Sequence, residues 1–338
     1  MNASVGCETN ATVAHASEWR EERLDVDAYL WRMGYDGDLK PTVETLRGLH
    51  RAHVAAIPFE NLDIVLGRGV SLEMDTMQEK LIGRDRGGYC YEHNLLFAAL
   101  LERLGFAVSR LTARIRMGRD EPRESGHMLL RVEAEGSPWL ADVGFGGQRL
   151  LEPIPLEDGA TAQQGSWKYR LDYESAGAWV LRVLRPEGWF DLYSFTLEPR
   201  HHGDYVVYNY YVSTNPDSPF VRRMLAMQTE PHRRLTLTGR RFTTAYPDGS
   251  TERRELAGAE LIGVLRGTFS IALEPEEEAS LRSIYDADHE DTRIEGSRER
   301  ILSHGAGSLQ RARAYPAQHR RAREHGPDHD ADAKEVER

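Results

Sequence analysis

The chain is poor in cysteine, in lysine and in long apolar runs. Only two of its 338 residues are cysteine, Cys7 and Cys90. That excludes a small fold stapled by several disulfides. No stretch approaches the ~18 consecutive apolar residues of a membrane-spanning helix, so no membrane span is expected. The opening residues, MNASVGCETNATVAHASEWREER, lack a basic run followed by an apolar core. No secretory signal is read there, and a cytoplasmic protein is expected. Lysine is nearly missing: Lys40, Lys80, Lys168 and Lys334 stand against 39 arginines. Such a bias is compositional and does not by itself argue for a phosphate site. The formal net charge of −11 speaks against a nucleic-acid or anionic-membrane partner. Hydrophobic residues at 40% and charged residues at 29% exclude a wholly disordered chain.

What is there is unevenly spread. Residues 286–338 hold 10 Lys/Arg, 12 Asp/Glu and five of the 13 histidines, with few large apolar side chains. This composition cannot offset chain entropy, so a disordered polar tail is expected. Residues 1–24 read as a similar disordered extension, with Cys7 a bystander in it. Residues 25–285 carry the fold. Residues 25–105 show helical periodicity, with helices predicted over 43–56, 75–82 and 91–104; Pro58 stops the first and Gly105 the last. After Gly105 the period changes to two. Strands are predicted over 106–117, 127–134, 139–143, 167–173, 179–184 and 189–196, enough for an antiparallel sheet or barrel within 106–200. Residues 201–285 are mixed: helices over 205–211, 220–227, 255–265 and 275–285, with extended chain over 234–241 and 241–246.

The chemistry is densest at Arg86-Gly87-Gly88-Tyr89-Cys90-Tyr91-Glu92-His93-Asn94. Two glycines allow a close backbone approach and the cysteine then opens a helix. The partial positive charge and free N–H groups of a helix N-terminus favour a thiolate and suit a developing oxyanion. The same residues also fit a small buried core thiol. A thiol nucleophile needs a histidine to take its proton and a third group to orient that ring. Eight histidines lie outside the tail. His93 is one helical turn from Cys90 and would point away from a substrate at the helix end. His127 starts an apolar strand and Asp142 ends the next, so a turn between antiparallel neighbours sets them side by side. A structural His–Asp hydrogen bond on a sheet would show the same spacing. The glycine-rich Val143-Gly144-Phe145-Gly146-Gly147 offers backbone to a phosphate or pantetheine chain, a weak pattern alone.

Taken together, the segments RGGYCYEHN (86–94), IPFENLDI (57–64), SGHMLL (125–130), ADVGFGG (141–147) and STNPDSPF (213–220) resemble the arylamine N-acetyltransferases, in the family's order and at compatible spacing. The resemblance implies an α+β fold: an N-terminal helical bundle, a central antiparallel β-barrel and a C-terminal α/β lid around a cysteine-protease-like catalytic core. It implies Cys90 as acyl-accepting nucleophile, His127 as its base and Asp142 as the orienting carboxylate. It further implies Phe59 and Phe145 lining a slot for an aromatic ring, and Gly126, Gly144, Gly146 and Gly147 against coenzyme A. Glu60 and Asn61 are expected to tie the bundle to the barrel, and Arg86 to sit in a buried ion pair. The implied partners are acetyl-CoA, as a co-substrate rather than a bound cofactor, and a small aromatic amine or hydrazine; no metal is implied, and no oligomeric state follows. Two alternatives share the same triad motifs: an amide synthase joining a polyketide-like acyl chain to an aromatic amine, and a Cys-His-Asp hydrolase.

Overall fold

The structure is a computed structural model that describes residues 17–119, 124–174 and 177–285. The expectations for residues 1–16, with Cys7, and for 286–338 lie outside the described residues. The N-terminal part holds α1 (Val26–Met33), α2 (Val43–Ala56), a two-residue strand β1 (Phe59–Glu60), α3 (Leu62–Val65), α4 (Met74–Gln78) and α5 (Cys90–Arg103). Side-chain oxygens cap the first two helices: Asp25 accepts from the Ala28 N–H at 3.0 Å and Thr42 from the Thr45 N–H at 3.2 Å, satisfying donors that a helix start leaves free. The helix predicted over 75–82 is α4 continued by a π-helical turn at Glu79–Gly83. Every residue from Cys90 to Leu101 in α5 is buried, as in a helix enclosed on all sides. It is the central post of the molecule.

Eight antiparallel strands follow: β2 (Ala107–Ile115), β3 (Ser125–Ala134), β4 (Ser137–Ala141), β5 (Ile154–Pro155), β6 (Ala160–Gln164), β7 (Trp167–Glu174), β8 (Ala178–Arg185) and β9 (Gly188–Phe195). Their order in the sheet is β5-β4-β3-β2-β9-β8-β7-β6. The end strands β5 and β6 approach each other, so the sheet curls nearly closed into a barrel. The C-terminal part adds α6 (His202–Thr214), α7 (Pro219–Arg222), β10 (Leu225–Thr229), β11 (Arg234–Thr238), β12 (Arg241–Ala245), β13 (Thr251–Glu255), α8 (Gly258–Gly267) and α9 (Pro275–Tyr285). Its sheet runs β1-β10-β11-β12-β13, so its first strand comes from the helical part. Among the described residues no helix is long and apolar enough to cross a membrane.

Several expectations are corrected. Residues 17–24, read as part of a disordered extension, pack onto the fold. Leu24 is 3% exposed, the Trp19 ring meets His202 and Tyr205 edge-on, and the Arg110 guanidinium lies 4.0 Å over it. A tryptophan and a leucine within a polar stretch suffice to anchor it. The helix predicted over 220–227 stops at Arg222, and β10 begins at Leu225. Pairing on both sides, with β1 and β11, overrides the local apolar spacing. Glu60 and Asn61 reach the lid rather than the barrel. Glu60 pairs with Ala226 in the sheet, while Asn61 donates to Phe220 O and Arg223 O and accepts from the Leu225 N–H at 2.7 Å.

Two hydrophobic cores result. One runs continuously through bundle and barrel, from Leu24 to Phe195 and on to Tyr205 and Val212. The other belongs to the lid and takes Leu62 and Val65 from the helical part, with Leu66 packed against it. Beside β1, one of the joins between the lid and the rest is ionic. The Arg86 guanidinium is fully buried and binds Glu60 at 2.9 Å, Glu277 of α9 at 2.9 Å and Asp63 at 3.3 Å. Lys80 bridges Asp63 and Glu92, each at 2.8 Å. Removing one member of such a buried cluster strands the others. Glu277→Ala is expected to cost ~3–5 kcal/mol, read as a lowered urea midpoint. Glu255→Ala, which breaks the exposed Arg241–Glu255 pair, should leave the midpoint almost unmoved. Equal midpoints for the two variants would show that Arg86 does not depend on Glu277.

Candidate active site

The chain enters α5 through a tight passage. A Cβ on Gly87 would collide with the Pro58 carbonyl, so only glycine lets the loop lie so close to β1. Phe59 bridges to Gly88, and the Glu60 N–H donates to Gly88 O at 2.8 Å. The Tyr89 N–H donates to the Glu92 carboxylate at 3.0 Å, an N-terminal cap. Cys90 follows as the first residue of α5, 4% exposed, where the helix presents unpaired N–H groups and a partial positive charge. Its sulfur lies 4.0 Å from Gly126 O, and that carbonyl accepts from the Tyr91 hydroxyl at 2.7 Å.

The barrel supplies the other two groups. In the β3–β4 pair Leu130 stands opposite Ala141. Continuing that register sets Asp142 opposite Leu129, one pleat along from His127 and on the same face. The strand thus ends one residue before Asp142, and His127 and Asp142 meet diagonally rather than directly across. His127 Nε2 and Asp142 Oδ2 are 2.7 Å apart. Nδ1 is then the ring nitrogen left for Cys90, which acts on the charge of the imidazole. Burial opposes a charge on His127, but the Asp142 carboxylate and then Cys90 outweigh it, and its pKa is pushed up to about 10. Burial likewise opposes the Asp142 charge. His127, Asn94 and the Gly144 N–H overcome it and hold the carboxyl below its usual range. Because the fold favours the imidazolium, its contribution to stability is full below the ordinary histidine value near 6.5 and is lost as pH rises through about 10.

Asn94, one helical turn beyond Cys90, locks the two halves together. Its Nδ2 donates to Asp142 Oδ1 at 3.1 Å and to Met128 O at 2.8 Å, and its Oδ1 accepts from the Val143 N–H at 3.2 Å. Gly144 then passes so close to α5 that a Cβ there would lie 2.8 Å from the Cys90 Cα. The other nearby histidines are spent elsewhere. His93 meets His53 at 2.7 Å and Pro58 O at 3.2 Å, leaving no ring nitrogen for the thiol, and burial pushes its pKa down to about 3. His50 contacts Leu151 O and the Asp142 N–H, and burial lowers it to about 4. Arg149 is buried without a carboxylate partner among the described residues. It donates to Val54 O, Ile57 O, Val143 O and Gln228 Oε1, clasping the end of α2, the loop after Asp142 and β10.

Aromatic rings surround this centre. Phe145 meets the His127 ring at 4.9 Å and Tyr193 at 4.8 Å. Phe59 is 4% exposed, stacks toward His93 and lies 6.0 Å from Phe220. Gly146, in the left-handed region with φ 71°, turns the loop back past Met227 and the Phe59 ring; Gly147 follows against Thr236. Gly126 is looser, with room for a Cβ at ordinary contact distance from Val212. Among the described residues no group of three or more His, Cys, Asp or Glu is placed to hold a metal ion.

The N-acetyltransferase family profile matches residues 42–278. The arylamine N-acetyltransferase of Mycolicibacterium smegmatis is 40% identical over 257 residues, 74% of this chain and 93% of its own. The chain belongs to the arylamine N-acetyltransferase family. Its fold is that of the family as well. The arylamine N-acetyltransferase from Mycobacterium abscessus superposes with a TM-score of 0.75 at 38% identity, covering 78% of this chain and 96% of its own. The Mycobacterium marinum family member in complex with CoA gives 0.70 at 36%, covering 77% and 99%. Like its relatives, this N-acetyltransferase family member is an acyltransferase.

Sequence reasoning overlooked Asn94 and Arg149. The i+4 spacing from Cys90 was a usable signal for Asn94, since it sets both side chains on one helix face. Nothing local marks Arg149, whose acceptors are the carbonyls of Val54, Ile57 and Val143 and the side-chain amide oxygen of Gln228. Two outcomes test the centre. In Asp142→Asn the His127 titration, followed by NMR, is expected to fall by ~1–3 units; an unmoved titration would detach the carboxylate from the ring. Asn94→Ala is expected to lower kcat about 10²-fold with little change in KM, with circular dichroism confirming the fold. Wild-type kcat in that variant would show that Asn94 positions nothing.

Proposed function

We propose that this chain transfers an acetyl group from acetyl-CoA to an arylamine, arylhydroxylamine or hydrazine nitrogen through an acetyl-Cys90 intermediate. The observation that carries the reading is the His127 ring held between the ionised Asp142 and the Cys90 thiol, with the imidazolium favoured. In the first half-reaction the Cys90 thiolate attacks the thioester carbonyl. The new C–S bond forms, the bond to the CoA sulfur breaks, and the His127 imidazolium supplies the proton that the departing thiolate takes. Backbone N–H groups at the start of α5 face the developing oxyanion. In the second half the nitrogen of the acceptor attacks the acetyl-Cys90 carbonyl. Neutral His127 takes the proton the amine loses, and the thiolate–imidazolium pair returns. The two substrates use one site in turn, a ping-pong sequence.

Asp142 serves as a fixed charge that keeps the ring oriented and the imidazolium stable. Phe59, Phe145 and Phe220 offer apolar faces for an aromatic acceptor, and the turn from Gly144 to Gly147 offers backbone to the donor's pantetheine chain. The CoA-bound relative from M. marinum supports the choice of donor. No observation favours a hydrolase or a polyketide-type amide synthase over acetyl transfer.

Incubation with acetyl-CoA is expected to add one acetyl group to Cys90, seen by intact-mass spectrometry and lost in Cys90→Ala. An arylamine should discharge it faster than water does. Faster discharge by water would make the chain a hydrolase. A long acyl donor accepted in place of acetyl-CoA would make it an amide synthase.

A further inference from the structure

Where the glycine-rich loop leaves Cys90, two arginines share one neutral acceptor. Arg185 closes β8 and Arg234 opens β11. Their guanidinium groups donate to Oε1 of Gln148 at 3.1 and 3.3 Å. Gln148 ends the 3-10 turn Gly146–Gln148 that follows Phe145. Among the described residues neither arginine makes an ion pair with a carboxylate; Glu187 acts on Arg185 only at a distance. Aromatic faces hold their planes instead, Phe190 at 3.2 Å from Arg185 and Trp167 at 3.6 Å from Arg234. Arg234 also meets the Tyr169 hydroxyl at 3.1 Å. The contrast on the same barrel is Arg116 and Arg182, each shared among two or more carboxylates.

Two unneutralised guanidinium groups against one amide oxygen repel each other. Burial and then the Arg234 charge lower the pKa of Arg185. A phosphate seated between them would remove the repulsion and gain charge-assisted hydrogen bonds. The position suits the donor of the reaction. Gly144 abuts Cys90 and Gln148 is four residues on, so at most ~14 Å of extended chain separates the two ends of the loop. The pair also straddles the join between barrel and lid, where Pro186 faces Gly249.

We propose that Arg185 and Arg234, gathered by Gln148, form the phosphate seat for a CoA-type acyl donor whose pantetheine arm runs along Gly144–Gly147 to Cys90. The proposal rests on the acyl-transfer reading, and its test separates the two. Calorimetric titrations of the full chain with CoA, pantetheine and inorganic pyrophosphate measure the phosphate contribution without any turnover. CoA is expected to bind at least about tenfold more tightly than pantetheine. That preference should shrink in Arg185→Gln, vanish in Arg185→Glu and persist in Arg185→Lys. The ratio of kcat/KM for acetyl-CoA to that for S-acetylpantetheine should fall in parallel. Arg185 is only half-buried at a strand end, so these variants should fold; thermal melts check it. An unchanged CoA preference in both Arg185→Gln and Arg185→Glu overturns the seat. Tight pyrophosphate binding with no preference for CoA over pantetheine assigns it to a free anion and also overturns the proposal. CoA binding that depends on Arg185 without any acetyl transfer keeps the seat and removes the acyl-transfer reading.

Discussion

The structure depends on one buried cation. Arg86 sits at the entrance to the cysteine loop with no exposed surface, and its charge is held by Glu60, Asp63 and Glu277. A guanidinium cannot lose its proton in a protein, so burial strands a full charge unless acceptors surround it, and here three carboxylates do. Those carboxylates come from the strand after α2, from α3 and from the last helix of the lid. Satisfying one side chain therefore draws the stretch from Glu60 to Asp63 and the last helix of the lid to the point where α5 begins. Burial works against the Arg86 charge, yet Glu60, Asp63 and Glu277 together hold its pKa above the ordinary value. Arg68 and Arg84 add their charges to Glu277 from the surface side.

From that point the places of Cys90, His127 and Asp142 follow by geometry. The loop presses on β1, β1 pairs with β10, and α5 starts with Cys90 beside the end of the β3–β4 hairpin. Asn94 makes this a rigid triangle, since one amide holds Asp142, the strand carrying His127 and the loop behind both. The electrostatics are sorted with equal economy. His50 and His93 are driven toward neutrality by burial and serve as hydrogen-bonding struts. His127 is as buried as they are but faces two groups that favour its charge, and it alone is pushed the other way.

Much of this was legible in the sequence. Helix α2 announces itself by one apolar face, α5 by its unbroken apolar run from Leu95 to Leu101, and the strands β2, β3, β7, β8 and β9 by short apolar stretches between turn residues. β6 and β13 do not: Ala160–Gln164 is mostly polar, and Thr251–Glu255 is exposed along its length. The strand at β10 was hidden because its apolar spacing fits a helix until β1 and β11 flank it. At the site, Cys90 and its glycines are local in sequence, and the spacing of His127 and Asp142 follows from a single hairpin. Arg149 and the Arg185–Arg234 pair are not local. Their environment is assembled from segments far apart in the chain, and only folding shows which arginines lack a carboxylate.

The two separate cores have a consequence for how such a molecule can diversify. Cys90, His127 and Asp142 are embedded in the core shared by bundle and barrel, to which α6 also contributes Tyr205 and Val212, whereas the lid's sheet and its last two helices close around a second apolar cluster. Drift inside that second cluster leaves the first one packed as it is. The second cluster can vary on its own, while the first must keep Cys90, His127 and the rings of Phe59 and Phe145 together.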